Sequence, residues 1–165
     1  CGEFLLRVGD RPFHPAAPGR HREVRDALRG APGLSDRWAD LAPVLAGRPL
    51  VAHQASTERR VLRDAFPLHR CGPWVDTLTL ARVLWPEARS HALNDLLEGL
   101  GLTGRAAAIC PGREPHDALY DAVGCALLLE TVLALPGWEN VTVRDAAAAR
   151  PAAYYNRRST REKRS

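Results

Sequence analysis

The chain has 165 residues, 45% hydrophobic and 25% charged, the composition of one globular domain with a sizeable core rather than a disordered or fibrous chain. Its net charge of +4 is uneven: residues 154–165 hold five of the 23 basic and one of the 19 acidic residues, which leaves 18 of each sign before them and excludes a strongly basic domain. No apolar run approaches the roughly 20 residues of a bilayer span, and no signal-peptide pattern is present, so a cytoplasmic protein without a membrane segment is expected.

The elements follow in chain order. Glu3 to Val8 (EFLLRV) reads as a strand ended by Gly9-Asp10, and Pro12, Pro15 and Pro18 make an irregular crossing segment. His21 to Leu28 reads as a short helix stopped by Gly30 and Pro32. Ser35 is expected to cap a helix over Asp36 to Ala46, with Trp38, Leu41, Val44 and Leu45 on one face. Pro49 to Ala52 is a short apolar run of the kind found in buried parallel strands. Ser56 is expected to cap the next helix, to about Phe66, with Val61, Leu62 and Ala65 inward. Trp74 to Thr77 reads as a strand, Leu78 to Trp85 as a helix cut by Pro86, and Ala92 to Leu100 as a leucine-spaced helix. The longest helix is expected from about Asp117 to Leu135, with Ala118, Ala122, Ala126, Leu129 and Leu133 along one side. Val141 to Ala149 is ambiguous between strand and helix, and the tail from Tyr154 is expected to be disordered. Short apolar strands alternating with amphipathic helices give an α/β class with an at least partly parallel sheet.

Chemistry-bearing residues are few. The cysteines Cys1, Cys71, Cys110 and Cys125 form no C-x-x-C pair, so neither a zinc knuckle nor a redox motif is supported, and Cys125 reads as a buried free thiol. Glu58 sits in a first helical turn just past a strand end, where it can reach a ligand or complement the helix dipole for about 0.3–1 kcal/mol. His53 and His69 have no partner at ligand spacing and read as structural or exposed, and His91 as a candidate helix cap. His116 and Asp121 form a closer pair at a helix mouth. They are open to two readings, an exposed helix start, or a base beside a carboxylate that needs solvent or a cation.

Three segments, in this order, resemble the DEDDh family of 3′–5′ exonucleases, the group of RNase T and the proofreading epsilon subunit of bacterial DNA polymerase III. Pro49 to Leu62 (PLVAHQASTERRVL) is similar to the family's second motif, a strand ending in Val-Ala-His followed by a carboxylate in the first helical turn. Asp76-Thr77-Leu78 with Leu80-Ala81-Arg82, then Ser90 to Leu96, resembles the connecting region, and His116-x-Ala118-x-x-Asp121 resembles the third motif. The resemblance covers most of residues 12–135. It implies an RNase H-like exonuclease fold, a mixed sheet flanked by helices, over a domain of residues 1–153. It also implies a site of His116 as general base, Asp121 and Glu58 as metal ligands, and His53 and Gln54 at the substrate. Two Mg²⁺ or Mn²⁺ ions, a single-stranded DNA or RNA 3′ end, and a polymerase or other replication or repair protein are the implied cofactors and partners.

Two departures accompany the resemblance. Glu58 stands where most family members have aspartate. No aspartate of the sequence has a glutamate two positions on, so the family's first motif, Asp-x-Glu on the first strand, is lacking. The match is expected to begin after that strand, which makes Glu3 to Val8 the family's third strand. The absence of methionine and the start at Cys1 likewise suggest a piece of a longer reading frame. The expectation is an exonuclease domain that is incomplete and inactive alone; the alternative is a degenerate relative that binds nucleic acid or a protein partner without cutting.

Overall fold

The structure is a computed structural model that describes residues 3–7, 28–138 and 140–149. The expected helix at 21–28, the proline segment and the tail therefore fall outside the described residues, apart from Leu28, which lies in a turn. Two three-residue strands, β1 (Leu50–Ala52) and β2 (Trp74–Asp76), pair in parallel, with Leu50 opposite Trp74 and Ala52 opposite Asp76. The Leu50 N–H donates to the Pro73 carbonyl at 2.8 Å. Among the described residues this is the whole sheet, apart from an isolated antiparallel bridge between Ala46 and Cys71.

Among the described residues seven α-helices accompany the strands: α1 (Trp38–Leu45), preceded by a 3-10 turn (Leu34–Arg37), α2 (Ser56–Ala65), α3 (Thr77–Leu84), α4 (Leu93–Gly99), α5 (Thr103–Ile109), α6 (Ala118–Leu133) and α7 (Val143–Ala147). The centre is α6, which packs against α3, α4, α5 and β1. Leu93, Leu96 and Leu97 of α4 meet Val123, Leu127 and Leu128 of α6 in the main core. Gly124 permits that approach, because a Cβ there would lie 2.8 Å from Leu97 Cδ1. A second core joins Val75 and Leu80 to Val132, Trp138 and Ala146. No described helix is long and apolar enough to cross a membrane.

Several expectations are corrected. Glu3 to Arg7 forms no strand. Its Arg7 N–H donates to the Pro32 carbonyl, Glu3 pairs with Arg113 at 2.7 Å, and Phe4 and Leu5 stay exposed, because no neighbouring strand among the described residues pairs with it. Ser35 lies inside the 3-10 turn, whose N-cap is Gly33, and α1 starts at Trp38 after Arg37. Ala55, not Ser56, is the N-cap of α2, with no side-chain cap of its own. Neither α1 nor α2 has a buried residue, and Val44 and Val61 are exposed. On α6 the stripe Ala118, Ala122, Ala126 and Leu133 faces outward, with Leu129 half-buried. The bulkier Tyr120, Val123, Leu127 and Leu128 take the core instead, since they bury more apolar area per residue. The segment Thr103–Ile109, given no element from sequence, is helical, and the ambiguous stretch resolves into α7 with a Thr142/Asp145 capping box.

Candidate active site

Both strands end at the same level, so the turns that follow them lie side by side. After Ala52 the chain runs through His53, Gln54 (φ +64°) and Ala55 into α2, and after β2 it passes directly from Asp76 into α3. Asp76 caps α3 by accepting the N–H groups of Leu78 and Thr79, and also accepts those of Gln54 and Ala55 across the sheet. Glu58 projects from the first turn of α2, exposed, at the rim of an open cleft of about 440 Å³ lined by Leu50, Val51, Val61, Leu62 and Trp74.

His53 is half-buried and both its ring nitrogens engage the protein. Nε2 lies 2.8 Å from the His91 carbonyl, which can only accept, so this nitrogen carries the proton. Nδ1 lies 3.0 Å from the hydroxyl of the buried Thr77, whose single proton is shared between this nitrogen and the Ala52 carbonyl at 3.3 Å. Burial lowers the His53 pKa, against the raising effects of the His91 carbonyl and the Asp76 charge. The ring is thus a neutral brace between β1, the head of α3 and the turn before α4. His91 itself does not cap α4: its Nε2 meets the Trp85 carbonyl, and Ala92 holds the N-cap position. His69 is exposed and stacks on Trp38, with ring centroids 3.9 Å apart.

At the mouth of α6 the two readings of the sequence divide between two aspartates. Asp117 is the N-cap, accepting from Leu119 and Tyr120, and a hydrogen bond from Arg113 at 2.8 Å holds its carboxyl below the usual aspartate range. Because Asp117 takes the cap, Asp121 falls in the first turn rather than the second. Asp121 is half-buried, and its Oδ1 accepts the backbone N–H of His116, an exposed residue at φ +72°.

The two halves meet at Cys125, one helical turn beyond Asp121. Burial pushes this thiol up to about 11, although the His53 backbone and the Thr77 hydroxyl hydrogen-bond to it. The carboxylates of Asp121 and Glu58 both raise it further. His53 and Thr77 thus meet at the strand ends, and α6, which carries Asp121, packs against β1. No set of three or more His, Cys, Asp or Glu side chains among the described residues is arranged to hold a metal ion. Asp76 and Thr77 tie this neighbourhood together, and sequence reading assigned them no role; the available signal was an Asp-Thr pair where a strand runs straight into a helix.

The chain is 34% identical over 130 residues to exodeoxyribonuclease 10 of Escherichia coli K12, a match covering 78% of the chain and 53% of that protein. It is 34% identical over 108 residues to the PolC-type DNA polymerase III of Oceanobacillus iheyensis, and 31% over 113 residues to that of Bacillus subtilis. These likenesses support a relationship to the DEDD-type 3′–5′ exonucleases. It spans about half the length of exodeoxyribonuclease 10, while each polymerase match covers 7% of the polymerase. No family model and no solved structure matches the chain.

Proposed function

We propose that this chain is the larger part of a metal-dependent 3′–5′ exonuclease domain of RNase H-like fold, which releases nucleoside monophosphates from the 3′ end of single-stranded DNA or RNA. In this reading His116 takes the proton of the attacking water. Asp121 and Glu58 supply two carboxylates, and the β1–α2 turn, through His53 and Gln54, meets the terminal nucleotide. His53 acts there by position, since its ring nitrogens are already engaged. The observation that supports the reading is the packing of α6, which bears Asp121, against β1, whose end leads into the helix start that bears Glu58, 63 positions away in sequence.

The described residues do not by themselves fit the two divalent ions, Mg²⁺ or Mn²⁺, of such a site. Two carboxylates leave a pair of dications uncompensated, and no third donor joins them. We infer that two further carboxylates come from an Asp-x-Glu strand paired to the edge of β1 that has no partner strand among the described residues. The support is physical: a two-stranded sheet is marginal alone, and the cleft beside Leu50 and Val51 is apolar and open. The likeness to PolC-type polymerases supports a polymerase or another replication or repair protein as a partner.

A second reading, a degenerate module that binds nucleic acid or a protein without cutting, is favoured by Glu58 in place of the family's usual aspartate. The discriminating experiment extends the chain with a strand bearing Asp-x-Glu and follows nucleotide release from a labelled oligonucleotide. Cleavage that Asp121→Ala abolishes supports the enzyme, whereas a near-normal rate in that variant refutes the role given to Asp121.

A further inference from the structure

We propose that Asp76 is a positioning residue of this site: its carboxylate sets the turn that carries His53 and Gln54 and fixes the first turn of α2, from which Glu58 projects. The proposal rests on the exonuclease reading above.

The turn cannot hold itself. Gln54 is left-handed (φ +64°), a conformation that costs a non-glycine residue free energy, and α2 begins at Ala55 with no side-chain cap. A left-handed residue followed by a right-handed one, here Ala55 at φ −53°, turns consecutive N–H groups toward one point and makes a concavity for an anion. The anion is Asp76, from the neighbouring strand. Its Oδ1 accepts from Gln54 at 3.0 Å, Leu78 at 3.0 Å and Thr79 at 3.4 Å, and its Oδ2 accepts from Ala55 at 3.1 Å.

One carboxylate thus caps α3 and clamps the start of α2. The register makes this possible, since Asp76 lies opposite Ala52, the last residue of β1. Thr77 adds a second grip from the same junction, with its hydroxyl 3.0 Å from His53 Nδ1 and 3.3 Å from the Ala52 carbonyl. Without the carboxylate the strain at Gln54 is opposed by the Thr57 N–H to Gln54 carbonyl bond at 3.2 Å and the Arg59 N–H to Ala55 carbonyl bond at 3.0 Å. These leave the Gln54 and Ala55 N–H groups unheld, and the first turn of α2 can rotate Glu58 away. Misplacement of a reacting group by about 1 Å costs on the order of 100-fold in rate.

Asp76→Asn separates the two jobs. Asparagine caps a helix as well as aspartate does, so the oxygen remains with Gln54, Leu78 and Thr79. The amide nitrogen replaces Oδ2 and sets a donor against the Ala55 N–H. Amide hydrogen exchange on the full chain is expected to show Ala55 exchanging about tenfold faster. Leu78 and the α6 core amides of Leu128 and Val132 should stay within about twofold. In the strand-extended protein, the same variant should lower kcat about 100-fold on a labelled single-stranded oligonucleotide, with KM little changed. Unchanged Ala55 exchange overturns the proposal, and so does a uniform acceleration that includes Leu128. An opened Ala55 with an undiminished kcat overturns it as well. If the extended protein releases no nucleotide even with Asp76 intact, the exonuclease reading fails, and Ala55 exchange alone then decides whether Asp76 holds the turn.

Discussion

The backbone N–H of His116 donates to Oδ1 of Asp121 at 3.2 Å, and this bond spans the left-handed step by which the chain enters α6. The carboxylate proposed as a ligand thus also fixes the residue proposed as the base, so base and ligand move as one unit.

The backbone at His116 can be separated from its side chain. A non-glycine residue at φ +72° is strained, so His116→Gly is expected to leave the chain equally stable or stabilise it by up to about 1 kcal/mol. His116→Ala keeps the strain and should unfold close to the original urea midpoint. A loss of more than about 1 kcal/mol in the glycine variant would show that the imidazole holds the turn, contrary to its exposure.

The pH dependence of His53 has a definite sign. Its pKa is lowered in the folded chain from 6.5, chiefly by burial. Between that lowered value and 6.5 the unfolded chain binds a proton that the native ring refuses. The stability contributed by His53 is therefore fully present above 6.5 and falls away as the pH drops through the lowered value. His53→Gln, which loses the two-sided brace, should cost about 1–3 kcal/mol at pH 8. The gap to the parent chain should narrow toward pH 5 in urea titrations. A gap that widens on acidification would contradict the neutral brace.

How much of this was legible in the sequence depends on what each residue answers to. The β1–α2 and α6 motifs could be read because a strand end, a first-turn carboxylate and a histidine at a helix mouth are local patterns. The helix caps were misplaced where a remote group does the work. Ser56 has the right chemistry for a cap, but Asp76, twenty positions away, accepts the N–H groups of Gln54 and Ala55 just before it, and the helix starts one residue earlier with Ala55 at the N-cap. The outward stripe of α6 was misleading because alanine at four-residue spacing suits either face, and only the bulk of Leu93 and Leu97 on α4 chooses between them. Glu3 to Arg7 carries the pattern of a strand but no neighbour to pair with among the described residues, and a strand is a property of a pair.

Packing at Gly124 offers a test that is independent of function. A Cβ there would meet Leu97 Cδ1 at 2.8 Å and Leu93 Cδ2 at 3.4 Å, so Gly124→Ala forces α4 and α6 apart despite alanine's better helix propensity. A loss of about 1–3 kcal/mol is expected. A stabilised variant in the same urea titration would mean that the two helices are not this close.

Cys125 reports on the closure of the site. With its thiol buried and pushed up to about 11, it should resist a disulfide reagent at pH 8 in the native chain, while the partly exposed Cys71 reacts. In a chain with Cys1, Cys71 and Cys110 replaced by serine, labelling should stay slow until urea unfolds the protein. Fast native labelling would show that the floor beneath Asp121 is open to solvent.

The most direct test of the central claim, that this chain holds one half of a nuclease site, is mononucleotide release from a labelled single-stranded oligonucleotide in the presence of Mn²⁺. Residues 1–165 alone should release none, and the same residues preceded by a strand bearing Asp-x-Glu should release nucleoside monophosphates from the 3′ end. Robust Mn²⁺-dependent release by residues 1–165 alone would contradict the account, since Glu58 and Asp121 would then suffice without the missing carboxylates.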